Sequence, residues 1–248
     1  MIEVKNIHKT FNKHSVLKGI SAEFKEGSTS LIIGGSGSGK TTLLKCMVGL
    51  HEPSLGSVLY DGRNFTSMNF EERIEIRTEI GMLFQGAALF DSINVEENIM
   101  FPLNMFTNQS EKEKRDRVNF CLERVNLAGR NKLLTSELSG GMKKRVGIAR
   151  AIAMNPKYLF CDEPNSGLDP KTSIVIDELI QEITEEYKTT TIIVTHDMNS
   201  VMGIGDHIIF LHEGKKWWEG SNHEITTTNN KELNEFVFAS KFMKKLLK

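Results

Sequence analysis

The sequence predicts an α/β fold in which a mainly parallel β-sheet carries helices on its faces. An apolar run at residues 31–33 leads into a glycine-rich loop and then into the helical pattern "TTLLKCMVGL". Farther along, the strand-like segments "KYLFCDE" and "TTTIIVTHD" flank the helical pattern "PKTSIVIDELIQEITEEY". Alternation of strand and helix patterns is typical of parallel sheets, because a crossover helix joins one strand to the next.

The N-terminal segments predict an additional, antiparallel β layer. Residues 2–33 hold short apolar segments that are divided by turn sequences such as "KEGS", and these segments predict strands. After the first helix, "GSVLYDGRNF" predicts a strand that enters a turn at Asp61 and Gly62.

The middle of the chain is helical, and its C-terminal end is linker-like. From about residue 94 to 155 the pattern is helical, with Ser110 as an N-cap candidate, so we predict a helical subdomain inserted at about residues 86–156. Strand signals return at "DHIIFLHEGKKWWEG". We divide the chain into a main domain, residues 1–220, and a C-terminal linker and tail, residues 221–248.

The tail predicts an amphipathic helix. One helical stripe with neighbouring lysines is formed by Leu233, Phe236, Val237, Ser240, Met243 and Leu247, beside Lys241, Lys244, Lys245 and Lys248. Two interpretations are open: the stripe packs on its own domain, or it is a docking helix for the partner subunit or for the second ATPase.

Composition limits the classes of partner. The 248 residues include 31 Lys and Arg against 32 Asp and Glu, a net charge of -1, so no global field favours nucleic acid. The three cysteines lack metal-type spacing and lie in apolar stretches, which favours a reducing compartment. No secretion signal and no apolar run of about 18 to 20 residues is found, so we expect a soluble, cytoplasmic chain.

The glycine-rich loop "GGSGSGKTT" matches the pattern G-x-x-x-x-G-K-[ST], in which backbone N–H groups surround phosphates. We expect Lys40 to reach the β and γ phosphates of a nucleotide, and the Thr41 hydroxyl to ligate Mg²⁺. The predicted phosphate-binding residues are Gly34, Gly35, Ser36, Gly37, Ser38, Gly39, Lys40, Thr41 and Thr42.

Two acids end the strand-like segment "YLFCDE". Asp162 is placed to hold the Mg²⁺ through water, and Glu163 to polarise the water that attacks the γ-phosphate. Acids are also common at strand ends for no catalytic reason, so this pair gains weight only together with other motifs.

A further motif, "LSGGMKKRVGIARA", lies just upstream of "CDEPNSGLDP", and with the glycine-rich loop it resembles the ATPase subunits of ABC transporters over residues 1–220. The resemblance implies a RecA-like parallel core and a homodimer that encloses ATP. In that dimer the signature motif of one subunit contacts the γ-phosphate bound by the other. The implied signature residues are Ser139, Gly140, Gly141 and Met142.

The resemblance implies four further site residues. Gln85, after "IGMLF", corresponds to a glutamine that contacts Mg²⁺ and the attacking water, and His196 to a histidine that contacts the γ-phosphate. Asp169 corresponds to a residue at the dimer interface, although it also suits an N-cap. Phe11 corresponds to an aromatic that stacks on adenine, although phenylalanine is more often a core residue. Met142 and Asn165 depart from the usual glutamine and threonine, and neither change removes a phosphate ligand.

Within this family, "FQGAALFDSINVEENIMFPL" and "LSGGMKKRVGIARAIA" are similar to the ATPase subunit of Mla lipid-trafficking systems. This narrower resemblance implies phospholipid transport between bacterial membranes. The implied partners are an integral permease and an MCE-type lipid-binding protein, with the subunit at the cytoplasmic side of the inner membrane. The alternative is a non-transport ABC ATPase, such as one that assembles iron–sulfur clusters with soluble partners. DNA-repair and translation members carry long coiled coils or two cassettes, and neither feature is present.

Overall fold

Two β-sheets organise residues 1–238, the part of the chain that the computed structural model describes. The strands are β1 (Ile2–Phe11), β2 (His14–Phe24), β3 (Thr29–Ile33), β4 (Leu55–Tyr60), β5 (Arg63–Asn64), β6 (Ile80–Leu83), β7 (Tyr158–Asp162), β8 (Thr190–Val194), β9 (His207–His212) and β10 (Lys215–Gly220). The helices are α1 (Lys40–Met47), α2 (Phe70–Thr78), α3 (Val95–Phe106), α4 (Glu111–Arg124), α5 (Gly140–Ile152), α6 (Pro170–Tyr187), α7 (Met198–Ile204) and α8 (Lys231–Val237).

The first sheet is the predicted antiparallel layer, with strand order β2-β1-β4-β5. The predicted turn joins β4 to β5, and both Asp61 and Gly62 have positive φ, at 47° and 77°. Two successive residues with positive φ match the right-handed twist of a hairpin.

The second sheet has the order β10-β9-β3-β8-β7-β6 and is parallel except at β10, which confirms the predicted α/β class. Strands β3, β7 and β8 are buried along their whole length, which explains why each contains three or four consecutive apolar residues with no polar residue alternating between them. In β3, Leu31 and Ile33 pack into the core beneath the helices, whereas Ile32 packs into the core beneath the antiparallel layer. The strand that leads into the glycine-rich loop is thus fixed on both faces.

Helices α3, α4 and α5 pack on one another, and all three lie inside the interval predicted for the helical subdomain. Ser110 caps α4 as predicted, in a capping box with Glu113. The sequence analysis did not predict α2 or α7. Only Ile76 is buried in α2, so its sequence carries no apolar stripe.

The first part of the tail packs on its own domain. Leu233 and Val237 of α8 are buried, and the ring of Phe236 lies 5.5 Å from that of Phe210. The remaining predicted stripe residues, Ser240, Met243 and Leu247, lie outside the described residues, as do Lys241, Lys244, Lys245 and Lys248. None of the helices within residues 1–238 has the length and apolar character that a membrane span requires.

Candidate active site

The glycine-rich loop follows β3 and needs glycine at two positions. Gly34 has φ 149°, and a Cβ there would lie 2.3 Å from the carbonyl oxygen of Leu211. Gly39, with φ 102°, precedes α1, and a Cβ there would lie 2.7 Å from Leu17 Cδ2. Residues 35–37 form an exposed tip, whereas residues 38–40 are buried. The backbone can therefore approach a ligand closely at the tip.

Lys40 is the first residue of α1, and its side chain folds back over the loop. Lys40 Nζ donates to the carbonyl oxygens of Gly34, at 2.8 Å, and Gly35, at 3.0 Å. Burial lowers the pKa of Lys40, against the opposing effect of Glu163 and Asp162. Ser38 Oγ is buried and has no hydrogen-bond partner within residues 1–238. A cation beside a buried hydroxyl donor suits a phosphate group.

Thr41 and Asp162 meet across the loop and the sheet. Thr41 Oγ1 donates to Asp162 Oδ1 at 3.1 Å, and Thr42 follows in the first turn of α1. Burial raises the pKa of Asp162, while the hydrogen bond from Thr41 acts in the opposite direction. A hydroxyl and a carboxylate side by side offer the hard oxygen ligands that Mg²⁺ prefers.

Glu163 lies directly after β7 in a left-handed backbone conformation, with φ 49°. Its N–H donates to the carbonyl oxygen of Val194, the last residue of β8, at 2.8 Å. Its carboxylate contacts His196 Nδ1, at 3.0 Å through Oε1 and at 2.8 Å through Oε2. The side chain of Glu163 is 13% exposed and that of His196 is 66% exposed, so the histidine forms the open side of the pair.

Sheet pairing brings these residues together. Register places Leu83 beside Cys161, Asp162 beside Val194 and Val194 beside Ile32, so the loops after β3, β6, β7 and β8 leave one edge of the sheet. Gln85, which follows β6, reaches the same edge, and its Nε2 lies 3.5 Å from Ser166 Oγ. The sequence predicted each of these loops separately, and the parallel register explains why they meet.

The signature residues start α5. Ser139 caps this helix, its Oγ accepts a hydrogen bond from the N–H of Met142 at 3.3 Å, and both Gly140 and Ser139 are exposed. A Cβ at Gly141 would lie 2.6 Å from Thr172 Cγ2. In residues 1–238, no hydrogen bond or ion pair joins the signature residues to the glycine-rich loop.

Asp169 caps α6, as the N-cap interpretation predicts, and its Oδ1 accepts from the N–H groups of Lys171 and Thr172 at 3.1 Å each. Phe11, at the end of β1, is 37% exposed and is not a core residue. Its ring forms a T-shaped pair with the His51 ring, with the two centres 5.2 Å apart, and Lys9 Nζ lies 4.8 Å from the centre of the Phe11 ring.

Lys144 was not predicted as a site residue. It is only 5% exposed, and its Nζ donates to the carbonyl oxygens of Gln85 and Glu163, the latter at 3.0 Å. Burial lowers its pKa, against the effect of Cys161, Asp162 and Glu163. A signal was present, because residue 144 falls on one helical stripe with the buried Ile148 and Ala151.

Asn165 also has a role that its sequence position did not reveal. Its Nδ2 donates to Asp177 Oδ1 at 2.8 Å and to Ser200 Oγ at 3.0 Å, and Ser200 Oγ donates to Asp177 Oδ2 at 2.8 Å. All three side chains are buried. Burial raises the pKa of Asp177 to about 6.

The parallel sheet, the phosphate-loop geometry and the acid pair define a P-loop protein that hydrolyses a nucleotide. The family model described as "ABC transporter" matches residues 17–166, and the chain belongs to that family. It is an ATP-binding ATPase subunit of an ABC transporter.

The names of similar proteins state different transported molecules. The chain is 37% identical over 236 residues to "Probable ribonucleotide transport ATP-binding protein mkl" of Mycobacterium leprae, covering 95% of this chain and 68% of the relative. It is 36% identical over 237 residues to "Intermembrane phospholipid transport system ATP-binding protein MlaF" of Haemophilus influenzae, covering 96% and 90%. A dimeric post-hydrolysis structure of the ATP-binding cassette MJ0796, bound to ADP and Pi, superimposes with a TM-score of 0.83 at 34% identity, covering 90% and 99%.

Proposed function

We propose that this ATPase hydrolyses Mg-ATP in a homodimer and thereby drives phospholipid transport between bacterial membranes through a separate permease. One observation supports the hydrolytic part above all others. The Thr41–Asp162 contact and the Glu163–His196 contact lie at the same edge of the sheet, after neighbouring strands. The first contact suits the metal and the second suits the attacking water.

Each residue of this arrangement has a separate task. Lys40 would neutralise charge on the β and γ phosphates, and Thr41, together with Asp162 through water and Gln85, would hold the metal. Held by these residues, Mg²⁺ would supply positive charge that stabilises the negative charge developing during hydrolysis. Glu163 accepts a proton from the attacking water, while His196 orients the carboxylate and contacts the γ-phosphate. Phe11 offers the exposed aromatic ring on which adenine stacks.

A second copy of the chain completes each site in this proposal. The exposed Ser139 and Gly140 at the N-terminus of α5 present donors toward a γ-phosphate held by the partner, with Gly141, Met142 and Asp169 at the same interface. The dimeric MJ0796 cassette bound to ADP and Pi supports this arrangement by likeness.

An apolar groove beside Gln85 supports a membrane permease as partner. It lies between β6, the loop after it, α3 and α5, with Arg150 in its lining, and the exposed rings of Phe90 and Phe101 lie 4.8 Å apart within it. Such a surface suits a short helix of another subunit. We place the subunit at the cytoplasmic side of the inner membrane, with residues 1–220 as the nucleotide-binding domain, residues 221–248 as the linker and tail, and an MCE-type protein in the complex.

The phospholipid cargo rests on likeness to MlaF, which spans 96% of this chain and 90% of that relative. The test is transfer of a fluorescent phospholipid between vesicles by the purified complex of this chain with its permease. We expect Mg-ATP to drive transfer, and the same complex with Glu163→Gln to fail. Stimulation of the ATPase by a ribonucleotide, with no lipid transfer, would contradict the cargo proposal. Recovery of the chain in the soluble fraction with a soluble partner would contradict the proposal that its partner is a membrane permease.

A further inference from the structure

We propose that Lys144 is a positioning residue that sets the backbone of Gln85 and Glu163 from the helix that begins at the signature motif. The inference rests on the roles proposed for Gln85 and Glu163. Lys144 lies in the second turn of α5, five residues after Ser139, and it is not among the residues that face the nucleotide in the proposed mechanism.

The ammonium group of Lys144 joins two loops that leave neighbouring strands. Gln85 follows β6 and Glu163 follows β7, and these strands pair in parallel register at Leu83 and Cys161. Lys144 Nζ donates to the main-chain oxygen of each loop. Glu163 O accepts a further bond, from the Ser166 N–H at 3.2 Å, whereas the described residues provide no other hydrogen bond to Gln85 O.

The contact to Glu163 acts at a strained position. Glu163 has a positive φ, which a residue with a side chain rarely adopts unless its surroundings hold it there. Its N–H is fixed by Val194 and its carbonyl oxygen by Lys144. These two bonds orient the peptide groups on both sides of Glu163, and so direct its carboxylate toward His196.

The same contact gives α5 a mechanical connection to both loops. A shift of α5 moves Lys144, and Lys144 moves the two carbonyl groups that it binds. Because α5 starts at the residues proposed to contact the partner's ATP, closure of the dimer would adjust Gln85 and Glu163 through one side chain. The hydrogen bonds reach backbone atoms only, so the effect falls on loop geometry.

The test compares Lys144→Met with wild type in the full chain, using the kcat and KM for Mg-ATP together with hydrogen exchange. We expect kcat to fall about ten- to a hundredfold, because a small misplacement of a base is costly, while KM changes less than about twofold since the phosphate loop is intact. Hydrogen exchange should become faster in the loops after β6 and β7 and stay unchanged in β1 and β2. Lys144→Arg, which retains the charge and the donors, should restore most of the kcat.

Lys114→Met is the matched control. Lys114 is a buried lysine of the same helical subdomain, 9% exposed, whose Nζ faces Glu111 at 4.0 Å and contacts neither loop. We expect its kcat and loop exchange to match wild type. If Lys144→Met does not fold, Lys144→Gln decides, because its shorter amide cannot reach both carbonyl oxygens.

A wild-type kcat in Lys144→Met, or uniformly faster exchange through the whole chain, would overturn the positioning role. The exchange measurement distinguishes a failure of the Lys144 proposal from a failure of the proposed catalytic mechanism. Normal turnover in Glu163→Gln would overturn Glu163 as the base, yet local exchange after β6 and β7 would still report whether Lys144 holds the two loops.

Discussion

At the residue scale, buried charged groups form specific hydrogen bonds. Asp177 shows that burial can still destabilise the ionised form of a carboxyl group. Its carboxylate accepts from Asn165 and Ser200 within a buried cluster, and the charges of Asp197 and Glu178 oppose its ionisation. Two donors do not offset the loss of solvation, so the pKa rises from 3.8 to about 6.

This shift predicts how stability depends on pH. The folded-state pKa is the higher one, so the folded protein binds more protons than the unfolded chain, and the free energy of unfolding falls as pH rises from about 4 to above 6. The contribution of Asp177 is at most about 3 kcal/mol. Asp177→Asn should remove this part of the slope in denaturant unfolding measured across that range. Glu185→Gln, a change at an exposed acid nearer the end of α6, should retain it, and an unchanged slope in Asp177→Asn would contradict the assignment.

The role of a residue could not be predicted from the sequence when its hydrogen-bond partners lie far away along the chain. The motifs that predict Lys40, Asp162 and Ser139 are contiguous, so pattern and residue type alone indicate these residues. Lys144 acts on main-chain oxygens 59 positions before it and 19 positions after it. A main-chain carbonyl acceptor cannot be recognised from the sequence, because every residue has one.

Asn165 illustrates the same limit. Sequence analysis treated it as a neutral replacement after the acid pair, since it binds no phosphate. In the structure it contacts Asp177 and Ser200, which lie 12 and 35 positions away. Only the packing of α6 and α7 against the loop brings these three side chains together.

At the scale of single elements, the glycine-rich loop combines two kinds of glycine. Gly34 has positive φ and lies against the backbone of β9, whereas a Cβ at Gly35 would meet nothing within 4 Å. The first glycine therefore serves the fold, and the second allows a ligand to approach the exposed tip.

Alanine substitutions separate these two tasks. Gly34→Ala should lower the free energy of unfolding by at least about 1 kcal/mol, because the backbone is strained and the carbonyl oxygen of Leu211 cannot move aside easily. Gly35→Ala is the matched control and should change stability by less than about 0.5 kcal/mol. Thermal or denaturant unfolding of both variants measures the difference. Equal stability of the two would show that the loop adapts at Gly34.

Short elements were harder to predict than long ones. Helix α6 has 18 residues and a clear apolar stripe, and the sequence indicated it directly. Helices α2 and α7 have nine and seven residues. Such lengths give about two turns, in which a helical period seldom stands out unless a motif marks the helix, as the glycine-rich loop marks the eight-residue α1.

At the scale of the whole molecule, the separation of the signature residues from the phosphate loop predicts that ATP assembles the dimer. Glu163→Gln removes the carboxylate that we propose as the proton acceptor but retains Lys40 and Thr41, so ATP should remain bound and hold two chains together. Size-exclusion chromatography with light scattering should show a shift from monomer to dimer when Mg-ATP is added.

A double variant provides the control for this prediction. Lys40→Ala combined with Glu163→Gln should stay monomeric, because the phosphates lose their cation. A Glu163→Gln protein that remains monomeric at saturating Mg-ATP would contradict the shared-site mechanism.

The pairing of β3 also determines when the active site can form during synthesis. Strand β3 lies between β8 and β9, and Gly34 packs against Leu211. Residues near position 33 can therefore complete their packing only after β8, which begins at residue 190, and β9, which begins at residue 207, have been synthesised. At about 5 to 20 residues per second, a ribosome needs about 10 to 35 s to reach β9 after it has made β3. Throughout that interval the apolar strand β3 lacks the two strands that pair with it, and Gly34 lacks the β9 backbone against which it packs. The phosphate loop therefore gains its neighbouring strands only late in synthesis, and until then Ile32 of β3 can be covered only by elements made earlier, such as the antiparallel layer.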